Sequence, residues 1–281
     1  MKQEKILLYG LGASGKSSSI ATLFKLRKEC PNMRVIFLCT ERNALSGLNW
    51  GLNHYKIKLE PNQLITCVIR NKKKKAFTNE LRALTTYSKQ SSAETQQNDK
   101  NSNMNKDKYL DFHNIVNGLM AFKGVDYVTK EDVSLGNIGE LELEDILVID
   151  GLTPIMLAIW EVVKGDRVGG NMADYQVVQY WLKKLTKNII DIDASVILLA
   201  HADRVYDEIS KEEKIRVGLD AGTALAGKYS GSWGDTFYAY QAPTGQRYWA
   251  GKKQGVETAV RNLPEQDKLA PDFSLYNFFK N

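Results

Sequence analysis

The sequence predicts a single doubly wound α/β domain in three layers, with a mainly parallel sheet at its centre and a β-hairpin near its C-terminal end. Three observations predict it. Short, continuously apolar runs alternate with stretches of helical periodicity, the pattern of strands covered on both faces. A glycine-rich loop joins the first of these runs directly to a helix. Two late apolar runs flank Pro243-Thr244-Gly245, a turn sequence between paired strands.

Taken in order, Lys5 to Tyr9 is the first strand and Lys16 to Glu29 an amphipathic helix that stops near Pro31. Arg34 to Cys39 is the second strand, and the resulting β-α-β crossover is expected to be right-handed. Leu64 to Ile69 reads as a third strand. The pattern then breaks: four lysines, Lys72 to Lys75, precede a helical stripe of Phe77, Leu81, Leu84 and Tyr87. Residues 90–108 have little to bury and are expected to be mobile, before Tyr109, Phe112, Val116, Leu119 and Phe122 restore a helical stripe. Segment 71–125 therefore reads as an inserted basic helical hairpin with a flexible tip. Ile146 to Asp150 is another buried strand, followed by a helix through Lys164 with Pro154 in its first turn and Thr153 as cap. Asp174 to Asp191 is a long helix carrying Val178, Trp181, Leu182, Leu185 and Ile189 on one side. Ser195 to Ala200, Phe237 to Gln241 and Gln246 to Ala250 complete the strands.

Composition excludes several classes. Hydrophobic residues make up 43% and charged residues 25% of 281, an ordinary soluble balance. No apolar run approaches a membrane span, and the N-terminus leads straight into a strand without a signal-peptide core. Cys30, Cys39 and Cys67 have no C-x-x-C spacing and read as small packed thiols in a reducing, cytoplasmic setting. His54, His113 and His201 have no metal-ligand spacing, so no zinc is expected. The net charge of +5 has a location: residues 71–108 hold nine Lys or Arg against four acids, and the remainder is near neutral. Such a segment serves nucleic-acid phosphates or is simply solvated.

The chemistry begins at Gly10 to Ser17, Gly-Leu-Gly-Ala-Ser-Gly-Lys-Ser, a G-x-x-x-x-G-K-[ST] loop. Its backbone N–H groups can turn toward one anion, and the helix that follows adds its positive end. Gly10, Leu11, Gly12, Ala13, Ser14, Gly15, Lys16, Ser17 and the adjoining Ser18 form the expected ATP site. Lys16 reaches the β- and γ-phosphates, and Ser17 offers its hydroxyl to Mg²⁺. Asp150, ending an apolar strand, is the expected acidic partner of that metal. No glutamate follows Asp150, so a hydrolytic base must come from elsewhere. Glu41, just past the end of the second strand, is the candidate, at the sheet edge where ligands collect in open α/β folds.

Loop, helix, strand and terminal glutamate together resemble RecA-type recombinase ATPases. Phe37-Leu38-Cys39-Thr40-Glu41-Arg42-Asn43-Ala44 is similar to the stretch that carries that family's catalytic glutamate, and the missing glutamate after Asp150 agrees. Val196 to His201 ends in a polar residue where the family keeps a γ-phosphate sensor; His201 stands where the family often has Gln. A narrower resemblance is to the short, core-only RecA-like ATPases of bacteriophages, some associated with single-strand annealing and recombination. It rests on the Ala-His end of the sensor strand, Thr223 to Tyr229, the strand pair, Gly251-Lys252-Lys253-Gln254 and Arg261-Asn262-Leu263-Pro264. It implies a RecA-like core, an Mg²⁺-dependent ATPase working in DNA recombination, annealing or replication, and a homo-oligomer (ring or filament) on nucleotide binding. Because the first strand starts by residue 5, the amino-terminal oligomerisation segment of full-length recombinases is expected to be absent.

The resemblance also assigns outer residues. Residues 202–222 occupy the position of a DNA-binding loop, with Arg204, Lys211, Lys214 and Arg216 for single-stranded DNA and Tyr206 as a stacking platform. Asp203, Asp207, Glu208, Glu212 and Glu213 leave the loop slightly acidic, which suits a solvated loop or a subunit contact equally. Lys252, Lys253 and Arg261 are the candidates to reach a neighbour's γ-phosphate. Two other readings stay open. One is a nucleotide-gated adaptor that binds ATP with little hydrolysis and recruits a protein through 71–125. The other is a small-molecule kinase, disfavoured because an Arg-rich lid is missing.

Overall fold

A computed structural model describes residues 3–40, 44–69, 115–116, 119–164, 171–207, 211–219, 229–261, 267–270 and 279. The expected hairpin's residues 71–114, its tip at 90–108, and Glu41, Arg42 and Asn43 all lie outside the described residues.

The described strands form one ten-stranded, mostly parallel sheet. They are β1 (Lys5–Gly10), β2 (Arg34–Cys39), β3 (Leu64–Val68), β4 (Phe122–Asp126), β5 (Asp132–Gly136), β6 (Asp145–Asp150), β7 (Ser195–Asp207), β8 (Glu212–Val217), β9 (Asp235–Gln241) and β10 (Arg247–Ala250). The order is β10-β9-β1-β7-β6-β2-β3-β4-β5, with β8 paired to the outer part of β7. From β9 to β3 every neighbour is parallel. The edges are antiparallel.

Why the central strands are continuously apolar is visible in where alternate residues go. Ile6, Leu8, Val35, Phe37, Ile146, Val148, Ile197 and Leu199 belong to one core. There they meet Ile20, Leu23 and Phe24 from the first helical segment, which runs as α1 (Lys16–Ser19) into a 3₁₀ stretch, Ile20–Lys28. Leu48 and Leu52 of α2 (Ala44–His54) complete that side. Leu7, Tyr9, Ile36, Leu38, Leu147 and Ile149 face the opposite core, against Ile155, Met156 and Ile159 of α3 (Leu152–Lys164). Val178, Leu182 and Ile189 of α4 (Met172–Ile190) pack there too. Helices thus cover both faces of the sheet, and each wholly buried Leu or Ile contributes about 1.5–3 kcal/mol. The expected layered, doubly wound α/β fold with a C-terminal hairpin is what the chain adopts.

Several expectations are corrected. β4 begins at Phe122, so a helical hairpin cannot extend to residue 125; helix is present at 115–116 and 119–120. Phe122 fits the helical stripe only by spacing, and it is a buried strand residue. β7 does not stop at Ala200: it continues to Asp207 and turns back as β8, so the expected loop 202–222 is in large part an antiparallel ribbon. α3 starts at Leu152, which puts Thr153 inside the helix, where its Oγ1 is buried without a hydrogen-bond partner instead of capping. On α4 the cap is Asn171 in a reciprocal box with Asp174, and Trp181 points outward, 45% exposed, with Lys184 over its ring. Trp233 and Trp249 are buried. Among the described residues no helix is long and apolar enough to cross a membrane.

β2 and β6 are locked at their starting ends by a pair of register partners, Arg34 and Asp145. Arg34 donates from Nε and Nη2 to the two carboxylate oxygens of Asp145, each at 2.8 Å, and Asp145 is 1% exposed. Arg34→Met strands a buried carboxylate; we expect it to lower unfolding free energy by about 3 kcal/mol, read as a lower urea midpoint with unchanged slope, and Arg34→Lys by less.

Candidate functional site

The loop after β1 is shaped by close approach and by backbone sign. A Cβ on Gly10 would fall 2.2 Å from the Ala239 carbonyl oxygen of β9, so only glycine lets β9 lie against the start of the loop. Gly15 has φ +91°, the left-handed region that glycine enters freely. Ala13 adopts φ 59°, a strained value for a residue with a Cβ and the kind of backbone outlier found at ligand sites. Gly12 is different: a Cβ there would meet nothing within 4 Å.

Lys16 folds back over this loop. Its ammonium donates to the Gly10 carbonyl at 2.9 Å and the Leu11 carbonyl at 3.0 Å, with Ser14 Oγ at 3.4 Å, and the side chain is buried. Three serines follow, and their hydroxyls divide. Ser18 Oγ donates to Gly15 O and Ser19 Oγ to Lys16 O, both within the helical turn. Ser17 Oγ instead leaves the helix and donates to Asp150 Oδ2 of β6 at 2.6 Å. Asp150 closes β6 and is 3% exposed. Its neighbour Gly151 has φ +117°, which lets the chain turn directly into α3.

Strand register explains why these groups meet. β7 lies between β1 and β6, with His201 opposite Gly10 and Leu199 opposite Asp150. β2 lies on the other side of β6, with Cys39 opposite Asp150. Burial pushes the Cys39 thiol up, and the nearby Asp150 carboxylate pushes the same way, so Cys39 is an inert neutral wall. Thr40, next in the chain, donates its hydroxyl to the carbonyls of Asp150 and Gly151 at 2.8 and 3.0 Å. The loop, Asp150, His201 and Thr40 therefore share one edge of the sheet. Glu41 lies outside the described residues.

The outer candidates are less gathered. In the β7–β8 ribbon, Arg216 opposes Asp203 and Lys214 opposes Val205, whereas Ile215 opposes Arg204 and Glu213 opposes Tyr206. Opposed residues share a face, so Arg204 and Tyr206 lie on one side and Lys214 and Arg216 on the other. Arg204 is within 3.8 Å of Glu213, Tyr206 is exposed, and Lys211 sits in the turn with φ 54°. Lys253 pairs with Asp267 at 3.0 Å and stacks over Tyr240. Lys252 and Arg261 are exposed, and Arg261 donates its backbone N–H to Asp235.

One basic residue escaped the sequence reading. Arg247, at the start of β10, touches the loop: a Cβ on Gly15 would lie 2.5 Å from its Cδ. More than two hundred residues separate the two positions, and nothing in the linear pattern marks Arg247. The packing of α2 was missed as well. Gly47 and Gly51 face the beginning of α1 so closely that a Cβ on Gly51 would fall 2.2 Å from Ser18 O, and one on Gly47 3.0 Å from Ser17 Cβ.

The arrangement offers backbone amides and an ammonium for a polyphosphate, and a hydroxyl–carboxylate pair of hard oxygens that suits Mg²⁺. No protein-family model matches the chain, and no curated protein matches it by sequence. Gly51→Ala is expected to lower the melting temperature by an amount equivalent to about 2 kcal/mol, although alanine is the better helix former, because it drives backbone against backbone. Gly12→Ala, with open space around it, should leave the melting temperature unchanged; calorimetric scans of both variants check the contrast.

Proposed function

We propose that the protein is an Mg²⁺-dependent ATPase with a RecA-like core, acting in DNA recombination, annealing or replication. The observation that carries this reading is the 2.6 Å hydrogen bond from Ser17 to the buried Asp150, which joins the helical turn after the loop to the end of β6. A bare glycine turn has no reason to meet a buried carboxylate in that way.

In this mechanism the loop amides from Ala13 to Ser18 bind the phosphate chain, and Lys16 exchanges its hold on the Gly10 and Leu11 carbonyls for the β- and γ-phosphates. Ser17, through its hydroxyl, and Asp150, through its carboxylate, are the residues that would hold Mg²⁺. When bound, that ion neutralises the charge that builds on the phosphate oxygens. Glu41, the residue after Thr40, orients the attacking water and takes its proton. His201, level with Gly10, reads the γ-phosphate and passes its presence into the β7–β8 ribbon that continues from it. Assembly into a homo-oligomer brings a neighbour's Lys252, Lys253 or Arg261 over the site, so an isolated subunit turns over slowly.

A second reading, the nucleotide-gated adaptor, draws on two observations. The ribbon's basic residues are split between its faces, an indifferent arrangement for tracking a phosphate backbone. α4 also exposes Val177, Tyr180 and Trp181, side chains that suit a protein contact.

Glu41→Gln is expected to retain ATP binding and to lose about a hundredfold or more in turnover; wild-type turnover in this variant removes Glu41 as the base. ATPase rate against added single-stranded DNA separates the two readings. Stimulation supports the enzyme of DNA metabolism, and a flat response with a stable protein complex supports the adaptor.

A further inference from the structure

Arg247 carries an inference that deepens this reading and rests on it. β9 pairs with β1 so that Ala239 lies opposite Gly10, and β10 returns with Arg247 opposite Gln241. Arg247 therefore stands at the same edge as the phosphate loop, in the same chain. Its stem crosses the loop: a Cβ on Gly15 would lie 2.5 Å from Arg247 Cδ and 3.2 Å from its Nε. Its guanidinium carbon is 4.4 Å from the centre of the Trp50 ring. Trp50 is presented by α2, the helix seated on Ser17 and Ser18 through Gly47 and Gly51.

Stacking on an indole uses the flat face of a guanidinium and leaves its N–H donors free in the plane. Arg247 Nε is buried and has no hydrogen-bond partner. Buried donors in folded proteins are almost always satisfied, and an arginine engaged only in packing could place its donors in water. A donor fork held rigid by Trp50, with a buried N–H unsatisfied beside a phosphate-binding loop, is a site for an anion that is not part of the protein.

We propose that Arg247 binds the nucleotide in cis, at the α- and β-phosphates. Gly15 belongs to the part of the loop whose amides cradle these two phosphates, whereas Lys16 serves the β- and γ-positions. The contact is thus made to ADP and ATP alike. It holds the nucleotide and does not act on charge developing at the γ-phosphate, the task assigned to Lys252, Lys253 or Arg261 of a neighbour. Trp50 is a built-in reporter, because a phosphate bound in the plane of the stacked guanidinium changes the charge beside the indole.

The test is calorimetric titration of the full chain with Mg²⁺–ADP and Mg²⁺–ATP, comparing wild type, Arg247→Gln and Arg247→Lys. Loss of a charge-assisted donor is expected to weaken both nucleotides by about tenfold to a hundredfold. KM should rise by far more than kcat falls, and the lysine variant should recover part of the loss. The tryptophan emission change on adding ADP should disappear in Arg247→Gln and in Trp50→Phe. Wild-type binding with undiminished ADP affinity in Arg247→Gln, or a loss confined to ATP, overturns the proposal while leaving the ATP site standing. A wild-type chain that binds neither nucleotide overturns the site reading and this proposal with it. Should Arg247→Gln fail to fold, the lysine variant and the Trp50→Phe emission signal decide on their own.

Discussion

The hydrogen bond between Ser17 and Asp150 is the constraint on which the rest of the site depends. It ties the first turn of α1, which follows β1, to the end of β6. It exists only because β7 alone separates β1 from β6 and because β1 and β6 stop within two residues of one another along it, at His201 and Leu199. A hydroxyl bonded to a carboxylate is among the stronger neutral-to-charged contacts, contributing about 1.5–3 kcal/mol. Its geometric effect matters more. It fixes the first turn of α1 over the end of β6, and with it the whole loop that precedes that turn.

Packing on both sides keeps this alignment from slipping. On one face the seam of Gly47 and Gly51 sets α2 directly on the backbone of Ser17 and Ser18. From the sheet edge, Gly10 admits the Ala239 carbonyl, so β9 and hence β10 approach the loop. Thr40 ties the end of β2 to the carbonyls of Asp150 and Gly151. β2, β9 and α2 thus converge on the loop, β9 and α2 through glycine contacts that a larger side chain would block and β2 through the hydrogen bonds of Thr40. Rigidity of this kind suits a site that must present several donors to one ligand at once.

Much of this was legible in the sequence, and the reasons for the exceptions are physical. Strands buried on both faces announce themselves as unbroken apolar runs, so β1, β2, β3, β6, β9 and β10 were visible within a residue or two. The loop was visible because its chemistry is local. α2 was not, because Ala-Leu-Ser-Gly-Leu-Asn-Trp-Gly-Leu-Asn-His carries two glycines and two asparagines, weak helix formers present for the sake of close packing on α1. The β4–β5 pair escaped because Phe-Lys-Gly-Val-Asp and Asp-Val-Ser-Leu-Gly are half-exposed edge strands, and Phe122 also fitted a helical spacing. The outer half of β7 is charged and partly exposed, which reads as loop until β8 is seen to pair with it. Arg247 is a purely tertiary feature: an ordinary arginine until the fold sets it against Gly15 and Trp50.

Lys16 has a consequence of a different kind. By donating to the carbonyls of Gly10 and Leu11, its ammonium bridges the two ends of its own loop and acts as an internal placeholder. The curve of the backbone is therefore already present before any anion arrives. In the proposed nucleotide complex, a polyphosphate exchanges one set of acceptors for another and leaves the number of bonds to Lys16 much the same. On the proposed reading, affinity is then a difference between two well-bonded states, which favours release as much as capture.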